Sequence, residues 1–366
     1  MNAKNIFVCL ILGLTQVAAA TAEIAQVNPA RHSGGLASDK NNHVFAPARH
    51  VLALPYKESM SWSDKRIASE AERLIDNNKT TAILLIEKGK IVFEKYKEPA
   101  TQHSPLFSQS MSKSLTAYTI GNMLCDGKIQ SLNDPANKYA PDLAGTAPGD
   151  APLKHLLSMS SGATDAIHAG EHEHNEMNSI RTGKMSTKEV IIKHGAKDTT
   201  PGKELRYSAL DTFALAHVAN ATGGFFENFE KYIWQAAGTE SPGYWLHDKN
   251  GDAMAASGFN ATGRDWARLA MFSIKQSKER GCIGDFMKAA TTAQVPNNSR
   301  RVGAAFPSYG YQTWIGNFRG RASYWWVGYG GQRVGIDPES ERIIVLTSWR
   351  EDYMPDVYTL WANWIR

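Results

Sequence analysis

Ser110-Met111-Ser112-Lys113 places a lysine amine three residues after a serine hydroxyl. If a helix begins at Ser110, the two side chains share one face and the end of Lys113 lies beside the serine oxygen. A serine alone is a weak nucleophile. An uncharged lysine within hydrogen-bond reach can take its proton, so the pair reads as a nucleophile with its base. Both residue types are common, and the motif gains meaning only from the other parts of an acyl-transfer site. Tyr207, in Arg206-Tyr207-Ser208-Ala209, follows Pro201-Gly202 and precedes a helical stretch. A phenol at such a turn can relay a proton to a leaving group, or it can serve packing alone. Gly328-Tyr329-Gly330-Gly331-Gln332 falls between two predicted strands. Its glycines let a backbone approach a ligand closely, and an N–H from this edge could join that of Ser110 as an oxyanion hole. The same cluster also suits an ordinary hairpin or bulge.

These residues must be positioned by the rest of the chain. The chain has 366 residues, is 42% hydrophobic and 21% charged, and carries a net charge of +4. That is the make-up of a globular protein with a real core. No basic stripe interleaved with aromatics is present, so nucleic acid is not an expected partner. Asn2, Lys4 and Asn5, an apolar run from Ile6 to Leu14, and Ala18-Ala19-Ala20-Thr21-Ala22 have the pattern of a secretory signal over residues 1–22. The run is too short to span a bilayer, so no stable membrane insertion is expected after its removal. A secreted or periplasmic protein follows. Cys125 and Cys282 then remain, either as one disulfide or, the favoured arrangement, as two buried free thiols.

Residues 23–60 read as an extended arm. Ser63 can cap a helix with Ile67, Ala71, Leu74 and Ile75 on one side. Ala82–Ile86 and Ile91–Phe93 flank a turn at Glu87–Lys90 and predict a hairpin. Loops and short helices occupy about 109–255, and strands return at 324–327, 333–336 and 342–348 before a terminal helix. The strands from both ends must share one antiparallel sheet. An α/β (α+β) domain over 61–366 results, with terminal helices flanking the sheet lobe (61–108 and about 256–366) and an inserted, mainly helical lobe. A cleft between them is the natural site. His168-Ala169-Gly170-Glu171-His172, with His174 nearby, matches a zinc-peptidase pattern, but Gly170 and the lack of apolar periodicity favour a solvated loop. No metal or cofactor is expected.

Ser110-x-x-Lys113, then Leu153-Lys154-His155-Leu156-Leu157-Ser158-Met159-Ser160-Ser161-Gly162, then Tyr207-Ser208-Ala209, then Gly328-Tyr329-Gly330-Gly331-Gln332 follow the order and rough spacing of the serine β-lactamase and penicillin-binding-protein superfamily. The chain most resembles its class C branch, which includes esterases and 6-aminohexanoate-dimer hydrolases. Gly263–Leu269 and Asp211-Thr212 resemble segments found there too, so the likeness spans roughly residues 60–366. It implies a β-lactamase-like fold, Ser110 as the acylated nucleophile, Lys113 as base, Tyr207 as proton donor, and the N–H groups of Ser110 and Tyr329 as oxyanion hole. Trp326, Gly328, Gly330 and Gln332 are the substrate-binding candidates, with Trp325 and Trp326 either walling an apolar pocket or filling the core. Two departures stand out. The tyrosine motif ends in Ala209 where class C enzymes have asparagine, and Trp326-Val327-Gly328 replaces their Lys-Thr-Gly. The implied substrate is a small ester or linear amide rather than a β-lactam. A non-turnover sensor on the same fold is the rival reading, and the oligomeric state is left open.

Overall fold

The computed structural model describes residues 41–77, 80–164 and 171–366. The segment read as an export signal, the arm up to residue 40, and His168 lie outside the described residues. Strands β1 (Asn42–Phe45), β2 (Thr80–Glu87), β3 (Lys90–Tyr96), β4 (Leu106–Phe107), β5 (Gly243–Leu246), β6 (Phe259–Ala261), β7 (Val295–Pro296), β8 (Ser308–Tyr309), β9 (Trp314–Phe318), β10 (Arg321–Gly328), β11 (Gln332–Asp337) and β12 (Arg342–Ser348) form two sheets. The helices that bear on the site are α1 (Trp62–Asn77), α2 (Ser112–Cys125), α3 (Ala209–Ala221), α4 (Gly263–Ser277), α5 (Cys282–Ala290) and α6 (Met354–Trp364).

The larger sheet runs β3-β2-β12-β11-β10-β9-β8-β7 and is antiparallel throughout. Apolar alternation fixes its register: Ile343 pairs with Ile86 and Val345 with Leu84, so a one-residue slip would turn each strand inside out. One face carries Ile83, Leu85, Ile344 and Leu346 against Ile67 and Ile75 of α1 and Leu360 and Trp361 of α6. The opposite face carries Leu84, Ile86, Ile343 and Val345 into a second cluster with Trp266 and Leu269 of α4. Helices α2 and α3 are buried on nearly every side, which suits their apolar, barely amphipathic sequences. The expected pairing of strands from both chain ends, with helices between, is present.

Three details differ from expectation. Helix α1 is capped by Ser61, whose hydroxyl accepts from the Asp64 N–H at 3.1 Å, rather than by Ser63. The arm does more than wrap: β1 pairs with β5, which extends through β6 to β4 as a second sheet of four strands. The two cysteines are not free thiols. Cys125 and Cys282 form a disulfide (S–S 1.97 Å), because the end of α2 and the start of α5 pack together with the Cα atoms 5.6 Å apart. That spacing lies inside the range a disulfide bridges. A sequence separation of 157 residues hid the proximity.

Candidate active site

Strand β4 delivers the chain to Ser110. The Ser108 N–H donates to the Phe259 carbonyl at 2.8 Å, and the backbone then turns sharply. Gln109 holds a left-handed φ of 47° without being glycine, a conformation tolerated where surrounding structure enforces it and common at functional turns. A single 3-10 turn, Gln109–Met111, carries half-buried Ser110 and leads straight into α2. Lys113 lies in the first turn of α2 and is 2% exposed. Its Nζ donates to Ser110 Oγ at 3.0 Å and to the Ala256 carbonyl at 2.7 Å. Ser112 and Thr116 both donate to the Ala255 carbonyl at 3.1 Å, which docks this helix face onto the 255–256 backbone.

Tyr207 arrives from the other lobe. Segment 153–162, the most distinctive run in the sequence, is its support. The Arg206 N–H donates to the Met159 carbonyl at 2.7 Å, the Ser208 N–H points to the Met159 sulfur at 3.4 Å, and the Gly202 N–H donates to the Ser160 carbonyl at 2.7 Å. Ser208 then caps α3 through the Leu210 N–H at 3.1 Å. The Tyr207 ring stacks on Trp314 (5.4 Å, 27°). Lys113 Nζ lies 5.3 Å from its centroid, and the Arg301 guanidinium carbon lies 4.7 Å from it. Just below, Asp211 is sealed in the first turn of α3. Ser161 donates to it through its hydroxyl at 2.5 Å and its N–H at 3.4 Å. Burial pushes its carboxyl up to about 7, and the Ser161 hydrogen bonds oppose the shift without cancelling it.

The end of β10 closes the site. A Cβ added at Gly328 would lie 2.3 Å from the Ser108 carbonyl oxygen, so glycine is what lets this strand end rest on the Ser110 turn. Ser110, Tyr207, Gly328, Tyr329, Arg301 and Glu351 thereby share one pocket of about 220 Å³, with Trp314 and Val327 in its wall. A second depression of about 300 Å³ continues past Tyr329 and Glu351 to Gly330, Arg350 and Asp352. A larger groove of about 630 Å³ lies elsewhere, between His50–Leu52, the Lys88-Gly89 turn and α4, and contains neither the serine–lysine pair nor Tyr207.

The structure therefore brings Ser110, Lys113, Tyr207, Gly328 and Tyr329 together and sets Gly330 at the outer depression. Two substrate-binding candidates are placed differently. Trp326 is fully buried; its indole N–H donates to the Tyr118 hydroxyl at 3.0 Å and its ring packs on Trp266. It is core, not pocket wall, and Trp325 is equally buried on the sheet's other face. Gln332 is also buried. Its amide donates to the Ser348 and Tyr329 carbonyls at 2.5 and 3.3 Å, so it braces the Tyr329 turn from behind. Arg301, Trp314 and Glu351 are pocket residues that no motif flagged, since they come from loops and a strand without recognisable spacing. Among the described residues, no group of three His, Cys, Asp or Glu side chains is disposed to hold a metal, and no helix is long and apolar enough to cross a membrane. His168 of the zinc-like pattern is outside the described residues, as are the side chains of Glu171, His172 and His174.

This geometry accords with what the chain is similar to. It is 24% identical over 301 residues to a 6-aminohexanoate-dimer hydrolase of Paenarthrobacter ureafaciens, an alignment covering 76% of this chain and 75% of the relative. A solved Bacillus anthracis protein, provisionally assigned as a 6-aminohexanoate-dimer hydrolase, superposes with a TM-score of 0.72 at 21% identity over 90% of each chain. EstCE1, a hydrolase with promiscuous acyltransferase activity, superposes with a TM-score of 0.63 at 16% identity over 82% of this chain and 97% of its own. A class C β-lactamase matches with a TM-score of 0.63 at 14% identity, covering 84% of this chain and 99% of its own. The Beta-lactamase family model matches residues 71–364. With that match running from α1 to the last helix and the serine–lysine pair inside it, the chain belongs to the β-lactamase family, within the serine β-lactamase and penicillin-binding-protein superfamily.

Proposed function

We propose that the protein is an exported serine hydrolase that cleaves carboxylic esters or linear amides through an acyl-enzyme, with little or no action on β-lactams. The observation that carries this reading is the 3.0 Å contact from buried Lys113 Nζ to the Oγ of Ser110, which lines one pocket with Tyr207. Lys113, uncharged, takes the Ser110 proton as Oγ bonds to the carbonyl carbon. The N–H groups of Ser110 and Tyr329 receive the developing oxyanion. Tyr207 protonates the leaving alcohol or amine as its bond to carbon breaks, and the phenol is reprotonated from Lys113. Water then attacks the Ser110 ester and gives up a proton to the Tyr207–Lys113 pair. The acid departs and Ser110 regains its hydrogen. Several features support the finer claims. Ala209 and Trp326-Val327-Gly328 stand where β-lactam recognition has an amide and a cation. The Paenarthrobacter relative is named for hydrolysis of a 6-aminohexanoate dimer. A disulfide at Cys125–Cys282 fits export to an oxidising compartment.

The test is p-nitrophenyl butyrate turnover together with intact-mass spectrometry. Wild type should turn over steadily and show a transient butyryl adduct on Ser110. Ser110→Ala should lose at least about 10³-fold, Lys113→Ala nearly as much because the pair acts as a unit, and Tyr207→Phe a smaller factor of about 10²-fold. Wild-type rates in Ser110→Ala would refute the mechanism, and one burst without turnover would favour the sensor.

A further inference from the structure

Arg333 is the second residue of β11. It pairs with Val327 of β10 and Leu346 of β12, on the sheet face that α6 covers, and is 2% exposed. A guanidinium keeps its charge when buried, and its burial is costly unless its donors are paired. Here the close partners are neutral. Nη1 donates to the Gly328 carbonyl at 2.6 Å and to the Gln332 carbonyl at 2.9 Å, and Nε donates to the Tyr358 hydroxyl at 3.2 Å. Glu351, the one carboxylate paired with it among the described residues, lies at 3.5 Å, a looser contact than a charge-assisted hydrogen bond makes. The shortest bond of this buried cation therefore goes to a backbone oxygen of Gly328, which lines the Ser110 pocket.

That oxygen and the Tyr329 N–H belong to one peptide group. The 328–329 bond is trans, so its C=O and N–H lie in one plane and point in opposite directions. Gly328 and Tyr329 line the pocket and Arg333 does not. A cation that grips the carbonyl from behind fixes the rotation of the peptide plane. It also draws electron density towards the oxygen, which makes the N–H a stronger donor. The rest of the turn is braced as well. Glu351 accepts from the Gly331 N–H at 3.2 Å, and the Gln332 amide donates to the Tyr329 carbonyl at 3.3 Å. Of these braces, the one at Gly328 comes from a charged donor.

Resting on the reading of the Tyr329 N–H as an oxyanion donor, we propose that Arg333 is a positioning residue: it aims and polarises the peptide group whose N–H receives the developing charge on the substrate oxygen. Arg333 touches no substrate and acts through the Gly328 carbonyl alone. Its effect belongs to the transition state, because an oxyanion gains more from a fixed, polarised donor than the neutral carbonyl of the bound substrate does.

The experiment combines p-nitrophenyl butyrate kinetics with two inhibitors. Trifluoromethyl propyl ketone bonds through its carbonyl carbon to Ser110 Oγ, whose proton passes to Lys113, and its oxygen becomes an oxyanion. Methyl propyl ketone binds as the neutral ketone. Arg333→Met keeps side-chain length and donates nothing. Its kcat should fall about tenfold to hundredfold with KM within about twofold, and the trifluoroketone should weaken by the same factor while methyl propyl ketone binds as before. Arg333→Lys, which keeps the buried charge, should lose less. A wild-type kcat in Arg333→Met, or equal weakening of both ketones, would overturn the proposal. Where Arg333→Met does not fold, the two ketones are compared in Arg333→Lys, and equal weakening or none decides against it there. A double-mutant cycle separates the two claims. Placing the α-hydroxy acid analogue of tyrosine at position 329 by nonsense suppression replaces the N–H with an ester oxygen and should cost about 10²-fold or more in kcat. In that background the Arg333 substitution should cost almost nothing further. Wild-type kcat in the ester-linked protein refutes the oxyanion role of Tyr329. A slow ester-linked protein in which the Arg333 substitution still costs its full factor refutes Arg333 alone.

Discussion

Asp211 shows how a single buried group sets a pH dependence. Its folded-state acidity is shifted up to about 7 from an ordinary 3.8 because burial disfavours the carboxylate. Between those values the folded chain holds a proton that the unfolded chain has released. Stability from this group is therefore complete below about pH 4 and declines as pH rises towards 7. The full decline is roughly 4 kcal/mol, at about 1.4 kcal/mol per pH unit. Asp211→Asn keeps an acceptor for Ser161 and cannot ionise. Urea unfolding of both proteins from pH 4 to 8 should show the wild-type-minus-variant difference falling with pH, so that the variant is the more stable at pH 8. A difference independent of pH would contradict the assignment. The meeting of Ser110, Lys113 and Tyr207 was legible in the sequence because one helical turn fixes the first two and a loop-to-helix junction presents the third. Arg301 was not, because its loop has no recognisable spacing and meets the pocket only through folded contacts such as the 2.8 Å bond from the Asn297 amide to the Arg301 carbonyl. Trp326 was misread for a related reason. Strand alternation sends Trp325 and Trp326 to opposite faces, but does not say that helices cover both.

At the scale of elements, the junction between β10 and the Ser110 turn is the decisive contact. Nothing larger than hydrogen fits at Gly328, where an added carbon would lie 2.3 Å from the Ser108 carbonyl oxygen and 2.9 Å from Gln109 Cβ. Gly328→Ala should push the strand end and the Tyr329 N–H away from Ser110. On the proposed mechanism that N–H is an oxyanion donor, and a shift of about 1 Å in such a donor costs about 10²-fold in rate. Gly320→Ala is the matched control. Gly320 has a left-handed φ of 86° and open space around it, so alanine there strains the backbone by about 1 kcal/mol while sparing the site. Ester kinetics and thermal melts of both variants should separate a positional effect from a folding effect; equal rate losses would refute it. The large sheet was readable because its apolar strands are long, as at Thr80–Glu87 and Arg342–Ser348. The small sheet was not, since β4 and β6 have two and three residues and their partners come from distant parts of the chain. Such short strands have too little pattern to declare themselves and exist only because tertiary packing brings them side by side.

For the whole molecule, the sheet lobe and the helical middle are held together by the core that α2 enters and by one covalent tie. Cys125 ends α2 and Cys282 begins α5, so the disulfide anchors the far end of the helix whose first turn holds Lys113. Fourteen residues of helix place that anchor about 20 Å from the site. The tie closes a stretch of 157 residues, for which chain-entropy arguments give about 5 kcal/mol of stabilisation, an upper figure because the native contacts around it are already dense. Reduction with dithiothreitol, or the paired change Cys125→Ser with Cys282→Ser, should therefore lower the denaturant midpoint sharply. Turnover at 25 °C should stay within about threefold, because the core around α2 keeps the Ser110–Lys113 geometry while the protein remains folded. The same comparison bears on export. If the proposed export holds, protein made in a reducing cytosol without residues 1–22 should carry two titratable thiols and melt early, and protein passed through an oxidising compartment should carry none. Identical melts for the two preparations would show that the bond adds nothing. A collapse of turnover on reduction at 25 °C would instead mean that the anchor at Cys125 sets the geometry of the Ser110–Lys113 pair from the far end of the helix.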